Sequence, residues 1–190
     1  LRGWYVEGAG VDDGHGVRTR ALVIMSAGGG NQLTAIQHPA DVAVRLDPAT
    51  DRYVDVRYPN ATTEGIGMRA WRTNIYALNR AGFDVLAYDR RGEGLSGGFS
   101  DTNTLEQSED IFRVLDQMDT GIGMRILTPS GQLLEGPAAA GKLMGGMKSR
   151  QIPLLLLGNS RGSMTTGWAM TKNYVGGCTY DMPTVTCSAP

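Results

Sequence analysis

The chain has 190 residues, with 18 Lys and Arg against 19 Asp and Glu, a net charge of −1, 41% apolar residues and 27 glycines. That length suffices for one sizeable core, and the near-neutral charge gives no electrostatic footprint for nucleic acid or an anionic membrane surface. The longest purely apolar run is far too short to span a bilayer, so no membrane span is expected.

Taken in chain order, Gly3-Trp4-Tyr5-Val6-Glu7 reads as a short strand ended by glycines. After the polar loop from Asp12 to Gly16, Arg20 to Ser26 is a second strand, apolar without alternation and so expected to be covered on both faces. It runs into Ala27-Gly28-Gly29-Gly30-Asn31. Residues 37–67 form a long excursion rich in Pro, Asp, Thr and Arg, with one strand-like stretch from Tyr53 to Tyr58. Met68, Trp71, Ile75 and Leu78 then recur at helical spacing, and Gly82 supplies a stop. Phe83 to Tyr88 is the third core strand. A second helix covers about Leu105 to Met118, with Thr104 and Gln107 as its capping box. Residues 121–150 form a Gly-rich insertion in which Arg125–Thr128 and Gln132–Glu135 flank Pro129-Ser130-Gly131, a hairpin pattern. Within it, Met144 and Met147 read as loop filler, with a lid over the site as the sharper alternative. Trp71 and Trp168 read as core aromatics. Gly-Ile-Gly-Met-Arg occurs at 65–69 and again at 121–125 with unrelated flanks, which makes it a coincidence and not a repeat.

The most informative segment follows. Ile152-Pro153-Leu154-Leu155-Leu156-Leu157 leads directly into Gly158-Asn159-Ser160-Arg161-Gly162, and Ser163 to Met170 continues as a helix. A buried strand ending in G-x-S-x-G before a helix is the spacing of a nucleophile elbow, in which a strained turn pushes the serine Oγ out of the sheet. Side chains at the two glycines would collide with the neighbouring strand and helix. The helix start beside the serine favours a developing negative charge. Gly92-x-Gly94-x-x-Gly97 after a strand matches a dinucleotide fingerprint. There the helix must begin within the glycines, whereas here residues 99–103 delay it to about Thr104, so no cofactor is expected. His15 sits in a polar loop with no second ligand cluster, so no metal is expected either.

The elbow, the glycine loop Ser26–Asn31 and the turn Tyr88-Asp89-Arg90-Arg91-Gly92-Glu93-Gly94-Leu95-Ser96 together resemble the α/β-hydrolase superfamily, whose fourth strand is followed by a D-x-R-G-x-G-x-S turn. The resemblance covers most of residues 1–190 outside the excursions at 37–67 and 121–150. It implies an α/β fold with a mostly parallel sheet and helices on both faces, incomplete within this chain. It makes Ser160 the nucleophile, the N–H of Arg161 one oxyanion donor, and Gly28 or Gly29 the source of the second. Ser26 and Ala27 depart from the His-Gly common at the start of that loop. Asp89 and Arg91 read as tying down the turn.

A serine hydroxyl needs a base, usually a histidine oriented by a carboxylate, and in this family both follow the serine in the chain. His15 and His38 both precede Ser160, and Asp181 alone is acidic after it. The elbow strand, apolar on both faces, is expected to be interior. Together these predict a second polypeptide segment or chain that completes the sheet and brings the acid and histidine. The chain opens on Leu1 and not on Met, so a processed product or internal piece is expected. The expected activity is hydrolysis of a small-molecule carboxylic ester through an acyl-enzyme. The alternatives are a peptidase or amidase on the same scaffold, or a non-catalytic binding module that kept the elbow. Cys178 and Cys187 leave the compartment open: a bridge fits an exported protein, which the reading leans toward, and free thiols a cytosolic one.

Overall fold

The computed structural model describes residues 1–28, 43–47, 52–57, 66–92, 96–98, 103–175, 178–181 and 184–187, with side chains over 1–28, 73–92, 96–98 and 103–174. The strands are β1 (Arg2–Val6), β2 (Val11–Asp12), β3 (Arg18–Thr19), β4 (Leu22–Ser26), β5 (Ala43–Asp47), β6 (Arg52–Arg57), β7 (Asp84–Asp89), β8 (Arg125–Leu127), β9 (Leu133–Glu135), β10 (Leu154–Gly158), β11 (Cys178–Asp181) and β12 (Thr184–Cys187). The helices are α1 (Ile66–Arg80), α2 (Thr104–Thr120), α3 (Gly136–Ala140) and α4 (Arg161–Val175).

The central sheet has the order β1-β7-β4-β10. β7, β4 and β10 are parallel, and β1 runs antiparallel to β7. Strand β4 is buried from end to end, and alternate residues feed two separate cores. Val23 and Met25 meet Val85, Ala87 and the α1 residues Ile75 and Leu78 on one face. Leu22 and Ile24 meet Leu86, Tyr88, the α2 residues Ile111 and Met118, and Ala169 of α4 on the other. The unbroken apolar runs are thus explained by two covered faces. Each fully buried Leu, Ile or Met contributes about 1.5–3 kcal/mol.

Parallel neighbours require crossovers, and these place the helices. From β4 the chain crosses through α1 on one face to β7. It then crosses through α2 on the opposite face, past β4, to β10. The helix after β4 therefore lies on one side of the sheet, while those after β7 and β10 lie on the other. Such a reversal opens a crevice at the carboxyl ends of the strands, where ligands of open α/β sheets bind.

Several expectations change at closer range. Helix α2 is capped by Asn103, whose side chain accepts the Glu106 N–H at 3.3 Å. Thr104 is already helical, and Gln107 is buried and turned toward the sheet rather than back to the cap. The insertion at 121–150 contains the expected hairpin, β8 paired with β9. Its second half is part of the core, since Leu143 and Met144 are buried and Met144 donates its N–H to the Tyr5 hydroxyl at 2.9 Å. That contact lies at the amino end of the sheet, beside Asp84 at the start of β7. Met144 is therefore neither filler nor a lid over Ser160. Trp168 is 39% exposed, not a core aromatic; the Trp71 side chain lies outside the described residues. Strand β10, expected to be interior, has β4 as its only partner among the described residues, and Leu154 and Leu155 are 39% and 42% exposed. In register, Cys178 and Cys187 lie directly opposite each other on β11 and β12, but the expectation about their bridging concerns side chains outside the described residues.

Candidate functional site

The chain turns from β10 into α4 in two residues, Asn159 and Ser160. Ser160 is solvent-exposed and has φ +52°, one of two non-glycine residues in the left-handed region among the described residues. That conformation is costly for an L-residue and persists where its surroundings impose it. Here the imposing contacts are visible. Asn159 donates its N–H to the Ser26 carbonyl at 3.2 Å, carrying the parallel pairing of β10 and β4 one residue past the strand. The Gly162 and Ser163 N–H groups then bond to the Asn159 and Ser160 carbonyls at 2.8 and 2.9 Å, closing the turn.

Both elbow glycines are required by close approach. A Cβ on Gly158 would lie 2.6 Å from the Ser163 Cα, inside the first turn of α4, and one on Gly162 would collide with the Ser26 carbonyl at the end of β4. The expected clashes with helix and strand are the ones found. Arg161 begins α4, so its N–H has no acceptor within the helix and belongs to the electropositive end.

Gly28 closes the other side. A Cβ there would lie 3.1 Å from the Ser160 Cβ and 3.1 Å from the Asn159 Oδ1, so its bare backbone rests directly against the serine. The structure thus brings Ser160, Arg161 and Gly28 together at the carboxyl ends of β4 and β10. Gly29 lies outside the described residues.

The segment after β7 supports this corner. Arg91 pairs with Asp110 of α2 at 2.7 Å and with Glu106 at 2.9 Å, tying the turn to the helix. Ser96 Oγ donates to the Asp89 carbonyl at 2.5 Å and accepts the Arg2 N–H at 2.8 Å. Arg90, which no motif singles out within the turn, is buried; its Nη2 donates to the Gly28 carbonyl at 3.0 Å and its Nη1 to Gln107 Oε1 at 3.1 Å. The delayed start of α2 at Thr104 departs from the dinucleotide geometry, as expected.

His15 is not part of this corner. His15 lies in the β2–β3 turn, whose base bonds to Gly82 just ahead of β7, at the opposite end of the parallel strands from Ser160. His38 and the Asp181 side chain lie outside the described residues. Among the described residues no cluster of three or more His, Cys, Asp or Glu side chains could hold a metal ion, and no helix is long and apolar enough to cross a membrane. A cavity of about 170 Å³ between β1, α2 and β8, lined by Tyr5, Leu86, Tyr88 and Met118, does not include Ser160.

Compared with protein-family models, with curated proteins and with solved structures, the chain matches none.

Proposed function

We propose that this chain carries the nucleophile and oxyanion-binding part of a serine hydrolase of α/β-hydrolase type, which cleaves a carboxylic ester through an acyl-enzyme on Ser160. The observation that supports it most is the strained, exposed Ser160 between the start of α4 and the bare backbone of Gly28. Such strain is expected where a side chain must be presented to a reacting group.

In this mechanism Ser160 Oγ attacks the ester carbonyl carbon and gives its proton to a histidine. The carbonyl oxygen becomes an alkoxide, held by the Arg161 N–H and an N–H of the Gly28–Gly29 segment. Each fixed donor lowers the barrier by about 2.7–4 kcal/mol. Collapse expels the alcohol, which takes the proton back from the histidine, and water then releases the acid by the same steps. The histidine and its carboxylate come from further polypeptide, packed along the edge of β10 that has no partner among the described residues. The remote position of His15 and the exposure of Leu154 and Leu155 support that assignment.

The experiment is turnover of short-chain p-nitrophenyl esters by the full-length protein. An initial burst of one equivalent of nitrophenol is expected, abolished by Ser160→Ala. Undiminished turnover in Ser160→Ala overturns the proposal. Parallel assays on anilides divide esterase from amidase.

A further inference from the structure

Asn159 stands between Gly158 and Ser160, and its backbone is fully committed. The N–H bonds to the Ser26 carbonyl at 3.2 Å, and the carbonyl accepts the Gly162 N–H at 2.8 Å. The side chain is not committed: the residue is exposed, and its carboxamide makes no hydrogen bond with any described residue. Asparagine suits a tight turn for one of two reasons, because it tolerates the left-handed backbone or because its side chain bonds to a nearby backbone group. Neither applies here. The left-handed residue is Ser160 and not Asn159, and no such side-chain bond forms among the described residues.

The amide is nevertheless placed beside the nucleophile. Asn159 Oδ1 and the Ser160 Cβ each lie 3.1 Å from the point that a Cβ on Gly28 would occupy, so the two atoms are at most about twice that distance apart. Gly28 is buried, which gives the amide a fixed surface to rest on. A substrate carbon bonded to Ser160 Oγ lies two bonds from that Cβ. A hydroxyl one or two atoms farther along the substrate is then within reach of the amide at a hydrogen-bond distance of about 2.7–3.2 Å. The carboxamide offers one acceptor oxygen and two N–H donors, so it can serve a hydroxyl in either direction.

We propose that Asn159 is a specificity residue whose carboxamide binds a hydroxyl close to the scissile bond, which makes the substrates hydroxylated esters rather than plain alkyl esters. This rests on the reading of Ser160 as nucleophile and adds a substrate class to it. The hydroxyl belongs to the acyl group or to the alcohol, and the contact is the same in both. Asn159 takes part in no bond-making step.

The test measures kcat/KM of the assembled protein on esters that differ by one hydroxyl. Ethyl 3-hydroxybutanoate against ethyl butanoate reads the acyl side, and 2-hydroxyethyl butanoate against ethyl butanoate the alcohol side. Each ratio is divided by that for hydrolysis by hydroxide, which removes differences in intrinsic reactivity. In one arm the hydroxylated ester is expected to be preferred about tenfold, the worth of one neutral hydrogen bond. Asn159→Leu, similar in size but without the amide's polar atoms, should bring that ratio close to one. A structural role would lower both esters of a pair alike and leave the ratio unchanged, so the ratio isolates recognition. Wild-type ratios near one in both arms, or a folded Asn159→Leu that keeps the wild-type ratio, overturn the proposal, while fluorophosphonate labelling of Ser160 in the same protein leaves the nucleophile standing. If Asn159→Leu does not fold, Asn159→Ala decides by the same ratio. A wild-type protein that hydrolyses none of these esters and takes no fluorophosphonate overturns the nucleophile itself, and this inference with it.

Discussion

Gly28 and Gly162 both lack a side chain for reasons of space, yet the two spaces differ. A Cβ on Gly162 meets the immovable Ser26 carbonyl, whereas one on Gly28 meets the Ser160 Cβ and the Asn159 amide at 3.1 Å. Gly162→Ala should therefore prise β4 from the start of α4 and destabilise the fold by about 1–3 kcal/mol, the usual cost of overpacking. Gly28→Ala should displace Ser160 instead. Its urea midpoint should stay near wild type while ester turnover falls at least tenfold, because the nucleophile loses its alignment. Equal stability losses in both variants, with equal residual activity, would contradict this division. The elbow was legible in the sequence because glycine, serine and glycine at fixed spacing are needed by a local turn. Arg90 was not, because its partners on the Gly28 loop and α2 are distant in the chain and neighbours only in the folded sheet.

Among the elements, α2 shows how a cap is misread by one residue. Thr104 and Gln107 have the capping-box spacing, but Asn103 takes the role and frees Gln107 for the buried contact with Arg90. Asn103→Ala should cost about 1 kcal/mol in urea unfolding, as for other lost N-caps; no change would place the helix start elsewhere. Strand positions were readable from apolar runs, and the faces of the sheet from their lack of alternation. The packing of residues 143–144 into the core was not, since Met144 is held by a hydroxyl 139 residues away. That hydroxyl, Tyr5, donates to the buried Asp84 carboxylate at 2.6 Å, and Arg20 pairs with the same carboxylate at 2.9 Å. The network joins β1, β7 and the 143–144 segment at the amino end of the sheet, away from the serine.

For the whole molecule, two consequences follow. Burial raises the pKa of Tyr5 above the ordinary 10.0, and the hydrogen bond to Asp84 adds to it. Burial, together with the charge of Asp110, does the same for Tyr88. Both hydroxyls hold their protons more tightly folded than unfolded. Their contribution is thus complete below the ordinary value and is lost as pH climbs through the raised folded value. Urea midpoints should accordingly be insensitive to these groups up to about pH 9 and fall more steeply above 10. Tyr88→Phe should flatten that fall. Because the Tyr88 hydroxyl and the nearby Ser26 Oγ are buried without a hydrogen bond of ordinary geometry, this variant should be no less stable than wild type at neutral pH. A steep alkaline loss that persists in Tyr88→Phe would assign it to other groups. The edge of β10 that has no partner among the described residues carries the second consequence. Exposed leucines on a strand with one edge unpaired among the described residues favour association, so these 190 residues alone should oligomerise with concentration, and Leu155→Lys should suppress it. If a further polypeptide covers that edge, as proposed, the β10 amides of the assembled protein should instead exchange slowly with deuterium. Rapid exchange there would leave the strand an edge and remove the place proposed for the histidine and its carboxylate.

The proposed activity turns on whether Ser160 reacts as a nucleophile. The most direct measurement is treatment of the full-length protein with a fluorophosphonate, followed by peptide mass mapping. The account predicts one equivalent of phosphonyl adduct on Ser160, with none formed after denaturation or in Ser160→Ala. A folded protein that takes no adduct, or takes it on another serine, would contradict it.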